Sequence, residues 1–368
     1  MHHHMKQFAS LLLDWFAHNG RDLPWRKTYH PYHIWISEVM LQQTQMDRVV
    51  LYFNRWINRF PDVHTVASAS EDEILKLWEG LGYYARARNI QKCARILAEK
   101  YNGRLPEEYH ALLELPGIGR YTAGAIMSLA FNRDYAVVDA NIERLFARIF
   151  NITSPIKDKL NSNTVWQKAQ ELIPAGKARL FNQAMMELGA LLCLPRFPEC
   201  EKCPLTPCCQ AFHLGVTGER PIPGTSKQII PIDMASGILI HRGKIFIQKR
   251  LDRDVWANLW EFPGGRLKNG ETPEAALVRE FREETELAVE NLEKIKVIKH
   301  RYTIYRVTLH CFFCTLINDA AEPVLHAAQE FKWVNPESLA QFAFSAGHRK
   351  LNQILIELPR FQKLLSVR

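Results

Sequence analysis

A chain of 368 residues with 47% apolar side chains exceeds what one ordinary hydrophobic core supports, so at least two domains are expected. The formal charge of +8 and a pI near 9.0 suit an anionic partner, nucleic acid first, though a merely soluble basic protein has the same balance. The longest apolar runs are far too short to cross a bilayer, and no long-period repeat or low-complexity segment is present.

From residue 6 to about 212 the pattern is helix after helix. Apolar positions recur at spacings of three and four, as in Ile74-Leu75-Leu77-Trp78-Leu81 and Ile142-Leu145-Phe146-Ile149. Within Ile34–Leu41, Glu38 has Ile34, Trp35, Leu41 and Gln42 as same-face helical neighbours. Three of these are apolar, so Glu38 interrupts an inward-facing stripe, and carboxylates are rarely buried without a reason. Desolvation is expected to raise its pKa until it holds a proton near neutral pH. The bland alternative is an exposed, solvated side chain.

Leu115-Pro116-Gly117-Ile118-Gly119 lies between helical patterns at Tyr109–Leu115 and Arg120–Ala130. Two close glycines leave backbone amides uncovered, and the helix that follows aims its positive end at the same place. That is an anion site suited to a DNA phosphate; as a bare pattern it is only a tight turn. Twenty residues past Gly119 comes Asp139, preceded by Val137-Val138 and followed by a helix. It is expected as an N-cap, with its ionised form favoured by the helix end. Such an anion could stabilise an oxocarbenium-like sugar cation.

Cys193, Cys200, Cys203 and Cys209 follow with the spacing C-x6-C-x2-C-x5-C. Nothing resembling a secretion signal precedes them, so a disulfide framework is not expected. Four soft thiolates suit an iron–sulfur cluster or zinc. The six-residue first gap fits zinc modules badly, which ranks iron–sulfur first, zinc second and four free thiols third. Cys208 could replace the last ligand, but the spacing favours Cys209.

Gly218, Pro221, Pro223, Gly224 and Pro231 mark a linker. Beyond it, Gly237–Ile240 and Lys244–Ile247 flank His241-Arg242-Gly243 as a hairpin. A helix over Pro273–Thr285 and strands near 295–317 complete a mixed α/β unit. Cys311 and Cys314 sit in a strand-like run, where i and i+3 point to opposite faces, and read as packing.

Several of these segments together resemble the MutY family of adenine DNA glycosylases, in the endonuclease III, helix–hairpin–helix superfamily. They are Asp22-Leu23-Pro24-Trp25-Arg26, Ser37–Gln45, Gly80–Asn89, the glycine hairpin, Val138-Asp139, Phe181-Asn182-Gln183-Ala184 and the cysteine quartet. The likeness runs in register over about residues 6–212. It implies a multidomain protein: an all-α helix–hairpin–helix glycosylase core with an iron–sulfur cluster loop, then an α/β (α+β) Nudix-like domain. The implied division is 6–28 with 137–213 as the cluster domain and 29–136 as a six-helix barrel domain. A linker over 214–232 and a lesion-recognition domain over 233–362 follow.

The resemblance implies base excision repair: hydrolysis of the N-glycosidic bond of adenine mispaired with 8-oxoguanine or guanine. The base must be extruded, because the bond is inaccessible in a duplex. Glu38 would protonate the adenine ring and later handle water, Asp139 would face the sugar cation, and Asn141 would support it. Trp25, Arg26 and Gln183 would line the adenine pocket, and Arg21 would bind substrate. Gln43, Thr44 and Tyr83 would fill the stack, and Gly117 and Gly119 would hold phosphate. Family members that also cut the strand carry a lysine where this chain has Tyr121, and neighbouring Arg120 cannot lose its proton to become a nucleophile. Tyr121 therefore points to base removal without an efficient lyase step, with a bifunctional glycosylase/lyase as the alternative. The implied cofactor is a [4Fe-4S] cluster on the four cysteines, and the implied partner is double-stranded DNA holding A:8-oxoguanine or A:G. A monomer in the bacterial cytosol or nucleoid, with no membrane partner, is expected.

In the C-terminal part, Gly265-x5-Glu271-x7-Arg279-Glu280-Phe281-Arg282-Glu283-Glu284-Thr285-Glu286-Leu287 resembles the Nudix box, complete except for Glu286 in place of glycine. Glu280, Glu283 and Glu284 form one acidic helix face of a kind that binds Mg²⁺, which leaves nucleotide pyrophosphatase activity as an alternative. Glu286 weighs against it, since the helix end favours glycine there; an exposed charged helix is the bland reading. The family's lesion-reading loop often reads Phe/Tyr-Ser/Thr-His, whereas this chain has Tyr302-Thr303-Ile304. The missing histidine makes oxidised-guanine selectivity a weaker expectation than adenine excision.

Overall fold

The computed structural model describes residues 2–225, 228–359 and 361. Contacts divide the chain into two units, Met1–Ala69 with Asn89–Ser226 and Ser70–Arg88 with Lys227–Arg368. No helix among the described residues is long and apolar enough to cross a membrane.

The helices in chain order are α1 (His2–Asn19), α2 (Pro31–Leu41), α3 (Met46–Arg59), α4 (Val63–Ser68), α5 (Glu71–Trp78), α6 (Ala85–Lys100), α7 (Tyr109–Leu113) and α8 (Arg120–Ala125). They continue with α9 (Ala140–Ile149), α10 (Lys159–Leu172), α11 (Ala178–Leu191) and α12 (Gln210–His213). All but α5 and the first residues of α6 belong to the first unit. Helix α2 starts with Pro31, whose fixed φ suits a first helical position. It is buried from Ile34 to Met40, so it runs through the core, with Ser37 and Glu38 as polar residues in an otherwise apolar stretch. Helix α3 buries only Val49, Phe53 and Trp56, one stripe at the helical period. Helix α11 packs closely on the start of α9 because residue 189 is glycine: a Cβ there would stand 2.6 Å from the Asn141 Cβ.

The second unit carries a mixed sheet ordered β3-β2-β1-β6-β5, with β4 paired to β1 and β7 to β2. Its strands are β1 (Ile230–His241), β2 (Lys244–Arg250), β3 (Trp260–Glu261), β4 (Gly264–Arg266), β5 (Val289–Tyr302), β6 (Tyr305–Leu316) and β7 (Ala328–Val334). β1 and β6 run parallel. Helices α13 (Pro273–Thr285) and α14 (Ala346–Glu357) cover separate cores. One contains Ile238, Phe313 and Leu351; the other contains Leu239, Phe246 and Phe281. Cys311 falls in the first and Cys314 in the second, as their spacing predicts. The β1–β2 hairpin turns at Arg242 and Gly243, both at positive φ, the twist that matches paired strands.

Helix α13 has the expected bounds, with Thr272 accepting from the Ala275 amide and Pro273 in the first turn. Glu286 takes the left-handed conformation at its end, φ 58°, and its carboxylate lies 2.8 Å from His326 Nε2. The glutamate therefore adopts the backbone shape it was expected to disfavour.

Ser70–Arg88, expected within the 29–136 helical domain, groups with the C-terminal strands. The joins are polar. Lys76 Nζ donates to Phe342 O at 2.9 Å, the Phe344 amide to Glu79 at 2.8 Å, and the Tyr84 hydroxyl to Phe344 O at 3.1 Å.

Candidate active site

In the first unit a cleft of about 1030 Å³ is lined by Glu38, Tyr121, Asp139 and Asn141, and by Arg21, Trp25, Arg26, Gln43, Thr44 and Gln183. Five separate segments thus bring together most of the residues singled out from the sequence. Glu38, on the core helix α2, is only 2% exposed. The Tyr121 hydroxyl, from α8, donates to its Oε2 at 2.6 Å. Burial lifts the Glu38 carboxyl to about 7, the Tyr121 hydrogen bond opposes the rise, the Asp139 charge adds to it and the Arg26 charge opposes it. Tyr121 is itself pushed well upward by burial and by the neighbouring Glu38, so it stays a protonated donor.

Asp139 caps α9, its Oδ1 accepting from the Ile142 amide at 2.8 Å. Its Oδ2 accepts from Asn141 Nδ2 at 2.8 Å. Burial pushes the Asp139 pKa up; the Ile142 and Asn141 hydrogen bonds and the Arg144 charge pull it down, and the net direction is upward. That differs from the expectation of a carboxylate held charged by its helix end. Desolvation across the whole site outweighs the local cap. Asn141 Oδ1 in turn accepts from Arg144 Nη2 at 2.9 Å, and Arg144 Nε donates to Cys193 O at 2.7 Å. One guanidinium thereby ties the aspartate's partner to the start of the cysteine loop.

On the other wall, Trp25 is 2% exposed and meets Phe53 edge-on at 5.1 Å between ring centroids. Arg26 Nη2 pairs with Glu187 Oε2 at 2.8 Å, and Arg21 pairs with the other oxygen of Glu187. The two arginines hold the Glu187 carboxyl below its usual range against the opposing effect of burial. Glu187 is a residue that sequence reasoning missed. The signal was present: it stands four residues after Gln183 beside Leu188, a carboxylate on an inward helix face like Glu38. Gln183 is 1% exposed; its Oε1 accepts from the Tyr29 hydroxyl at 3.5 Å, while Nε2 has no hydrogen-bond partner. A buried, unsatisfied donor costs about 1–3 kcal/mol, and an acceptor atom of a molecule bound in the cleft would offset that cost.

The remaining residues lie elsewhere. Gly117 has φ 79°, and a Cβ there would stand 2.7 Å from the Asn89 Cβ, so glycine is required on both counts. Gly119 caps α8 with open space where a side chain would be. Tyr83, Tyr302 and Thr303 belong to the second unit and do not line the cleft.

Cys193, Cys200, Cys203 and Cys209 line one small cavity, which Cys208 does not. Arg148, 2% exposed, donates to Cys193 Sγ at 3.2 Å. Among the described residues no three candidate ligands are already gathered around one point. Four soft thiols on one cavity beside a guanidinium donor nevertheless suit an iron–sulfur cluster in kind and number. The Nudix carboxylates do not fit a magnesium centre in this way. Glu283 is tied to Lys268 at 3.1 Å and to Arg279 at 2.8 Å, and Glu280 is tied to Arg279 at 2.8 Å. Glu284 turns inward, accepting from Gln248 Nε2 at 2.9 Å, and burial together with nearby Glu261 drives its pKa up. Glu280 and Glu283 thus meet at Arg279 Nη1, and Glu284 does not join them.

Residues 36–171 match the HhH-GPD superfamily base excision DNA repair protein model, and residues 235–353 match the NUDIX domain. The adenine DNA glycosylase of Buchnera aphidicola subsp. Baizongia pistaciae is 40% identical over 258 residues, 70% of this chain and 73% of that protein. The adenine DNA glycosylase of Mus musculus is 32% identical over 400 aligned residues, 94% of this chain and 77% of the relative. A solved structure of a trapped endonuclease III–DNA covalent intermediate, an estranged-adenine complex, is similar with TM-score 0.51 and 25% identity, covering 58% of this chain and 98% of that one. With a buried acid, a capped aspartate and a cysteine loop on a helical core ahead of a Nudix-type sheet, this chain belongs to the adenine DNA glycosylase family.

Proposed function

We propose that this chain hydrolyses the N-glycosidic bond of adenine mispaired with 8-oxoguanine or guanine in double-stranded DNA, without cutting the strand. The observation that carries the reading is the pairing of Glu38 and Asp139 in one cleft. With a pKa of about 7, the buried Glu38 carboxyl is poised to give its proton to the extruded adenine near neutral pH. Protonation makes the base a better leaving group and leaves positive charge on the sugar. Asp139, oriented by Asn141 and by the Ile142 amide, faces the cleft from another helix and offers the compensating negative charge. Once the base has left, ionised Glu38 can take a proton from water attacking the sugar. The unpaired Gln183 Nε2 and the Arg26 side chain supply donors for the purine.

Tyr121 supports the monofunctional reading. A phenol carries no amine, so position 121 cannot form a Schiff base with the sugar. Cys193, Cys200, Cys203 and Cys209 would hold a [4Fe-4S] cluster, which would cross-link the 193–209 loop, while Arg148 of α9 donates to Cys193 Sγ. Tyr83, with Tyr302 and Thr303, would engage the base opposite adenine. The division into cluster, barrel and lesion-recognition regions, a monomeric state and a cytosolic location belong to the same proposal. Arg279, which takes up both Glu280 and Glu283, and the inward turn of Glu284 argue against a second, nucleotide-hydrolysing activity.

Single-turnover excision on duplexes holding A:8-oxoguanine tests the proposal. Replacing Glu38 by Gln is expected to abolish excision while duplex binding persists. Excision surviving in that variant means that another group supplies the proton.

A further inference from the structure

Three aromatic residues from three distant segments, Tyr83, Trp256 and Tyr302, belong to the second unit. Tyr83 is 40% exposed at φ 49°, a left-handed backbone that bulky residues rarely adopt. The turn is clamped: Trp78 Nε1 and Arg86 Nη2 both donate to Gly82 O, at 3.0 and 3.1 Å, and the Arg86 amide donates to Tyr83 O at 2.9 Å. Tyr302 ends β5 beside the positive-φ Thr303. Burial and the Tyr83 phenol both raise the pKa of its own hydroxyl. Trp256 stands in the connection between β2 and β3, and its ring meets Tyr302 at 5.1 Å with an interplanar angle of 64°.

The Trp256 connection is pinned to the segment that carries Tyr83. Arg88 Nη1 donates to Ala257 O at 2.9 Å, and Asn258 Nδ2 donates to Glu71 Oε1 at 2.7 Å. Tyr83, Trp256 and Tyr302 are therefore held in one frame. We propose that Trp256 is a positioning residue for the choice between 8-oxoguanine and guanine opposite adenine: its edge-to-face contact fixes the orientation of the Tyr302 ring. This rests on the proposed engagement of that base by Tyr83 and Tyr302. It identifies an aromatic buttress in a chain whose lesion-reading turn ends in Ile304. An edge-to-face ring pair has a preferred geometry and a modest energy, suited to orienting a neighbour.

The test uses the full chain and single-turnover excision of adenine opposite 8-oxoguanine and opposite guanine, with the ratio of the two rates as readout. Trp256→Leu keeps an apolar side chain but no ring edge, and Trp256→Phe keeps one. Trp256→Leu is expected to lower the ratio by about three- to tenfold, in line with the energy of such a pair. Its A:G rate should stay within about twofold of the parent, which a general structural collapse would not allow. Trp256→Phe is expected to keep most of the ratio. A preference that survives Trp256→Leu intact, or a loss that Trp256→Phe fails to prevent, overturns the inference alone. A parent protein with no preference for 8-oxoguanine overturns the opposite-base reading as well. A Trp256→Leu protein that loses both rates together refutes a selective role.

Discussion

Replacing Tyr121 by Phe removes one hydroxyl from the cleft and should move the pH dependence of excision in a defined direction. That hydroxyl donates to Glu38 Oε2 at 2.6 Å and opposes the rise in the carboxyl's pKa, which stands at about 7. A hydrogen bond to a charged acceptor contributes about 1.5–3 kcal/mol, and one to a neutral acceptor about 1 kcal/mol. The charged form therefore loses about 0.5–2 kcal/mol more than the protonated form, which at 1.36 kcal/mol per unit is a rise of roughly 0.5–1.5 pKa units. Glu38 must be protonated to act as the acid, so excision should fall as pH rises through its pKa. In Tyr121→Phe this alkaline limb should begin about one unit higher than in the parent. The assay is the single-turnover rate on A:8-oxoguanine duplex between pH 5 and 9. A limb that stays in place, or moves to lower pH, would show that the phenol does not stabilise the ionised carboxylate. A parent profile with no alkaline limb would remove Glu38 as the proton source.

The same burial has a stability cost. A carboxyl whose pKa stands near 7 rather than 4.5 contributes stability below pH 4.5 that is lost as pH rises through 7, because the folded protein resists its ionisation. Glu38→Gln should therefore unfold later than the parent in denaturant at pH 8, by about 3 kcal/mol, with the difference shrinking toward pH 5; equal stability at pH 8 would contradict a desolvated carboxylate. Gln183→Leu removes an unsatisfied donor and should leave the free protein as stable or up to about 1 kcal/mol more stable. Excision in that variant should drop by about tenfold or more, since the adenine loses its partner; unchanged kinetics would exclude Gln183 from the pocket. Purified protein should be brown and carry iron and sulfide. Cys209→Ser should lose them and Cys208→Ser should not, because only Cys209 lines the cavity. A colourless protein with stoichiometric zinc would refute the cluster.

Local sequence logic reached those parts of the molecule that depend on a residue's immediate neighbours along the chain. Helical spacing placed Glu38 on an inward face, and the Asp139 cap, the Arg242-Gly243 turn, the bounds of α13 and the opposite faces of Cys311 and Cys314 are all properties of short segments. What those faces meet was decided by tertiary structure. Tyr121 finds Glu38 across 83 positions, and Arg26 finds Glu187 across 161, distances over which periodicity carries no information. The ionisation of Asp139 shows the division within one side chain. Its hydrogen bonds follow from being the first residue before a helix, but the direction of its pKa follows from burial, which only the packing of α8, α9 and α11 around it could set. Likewise, the helical period of Ser70–Arg88 reveals an apolar stripe but not which unit covers it, because amphipathic faces are interchangeable until polar partners such as Glu79 and Lys76 select one.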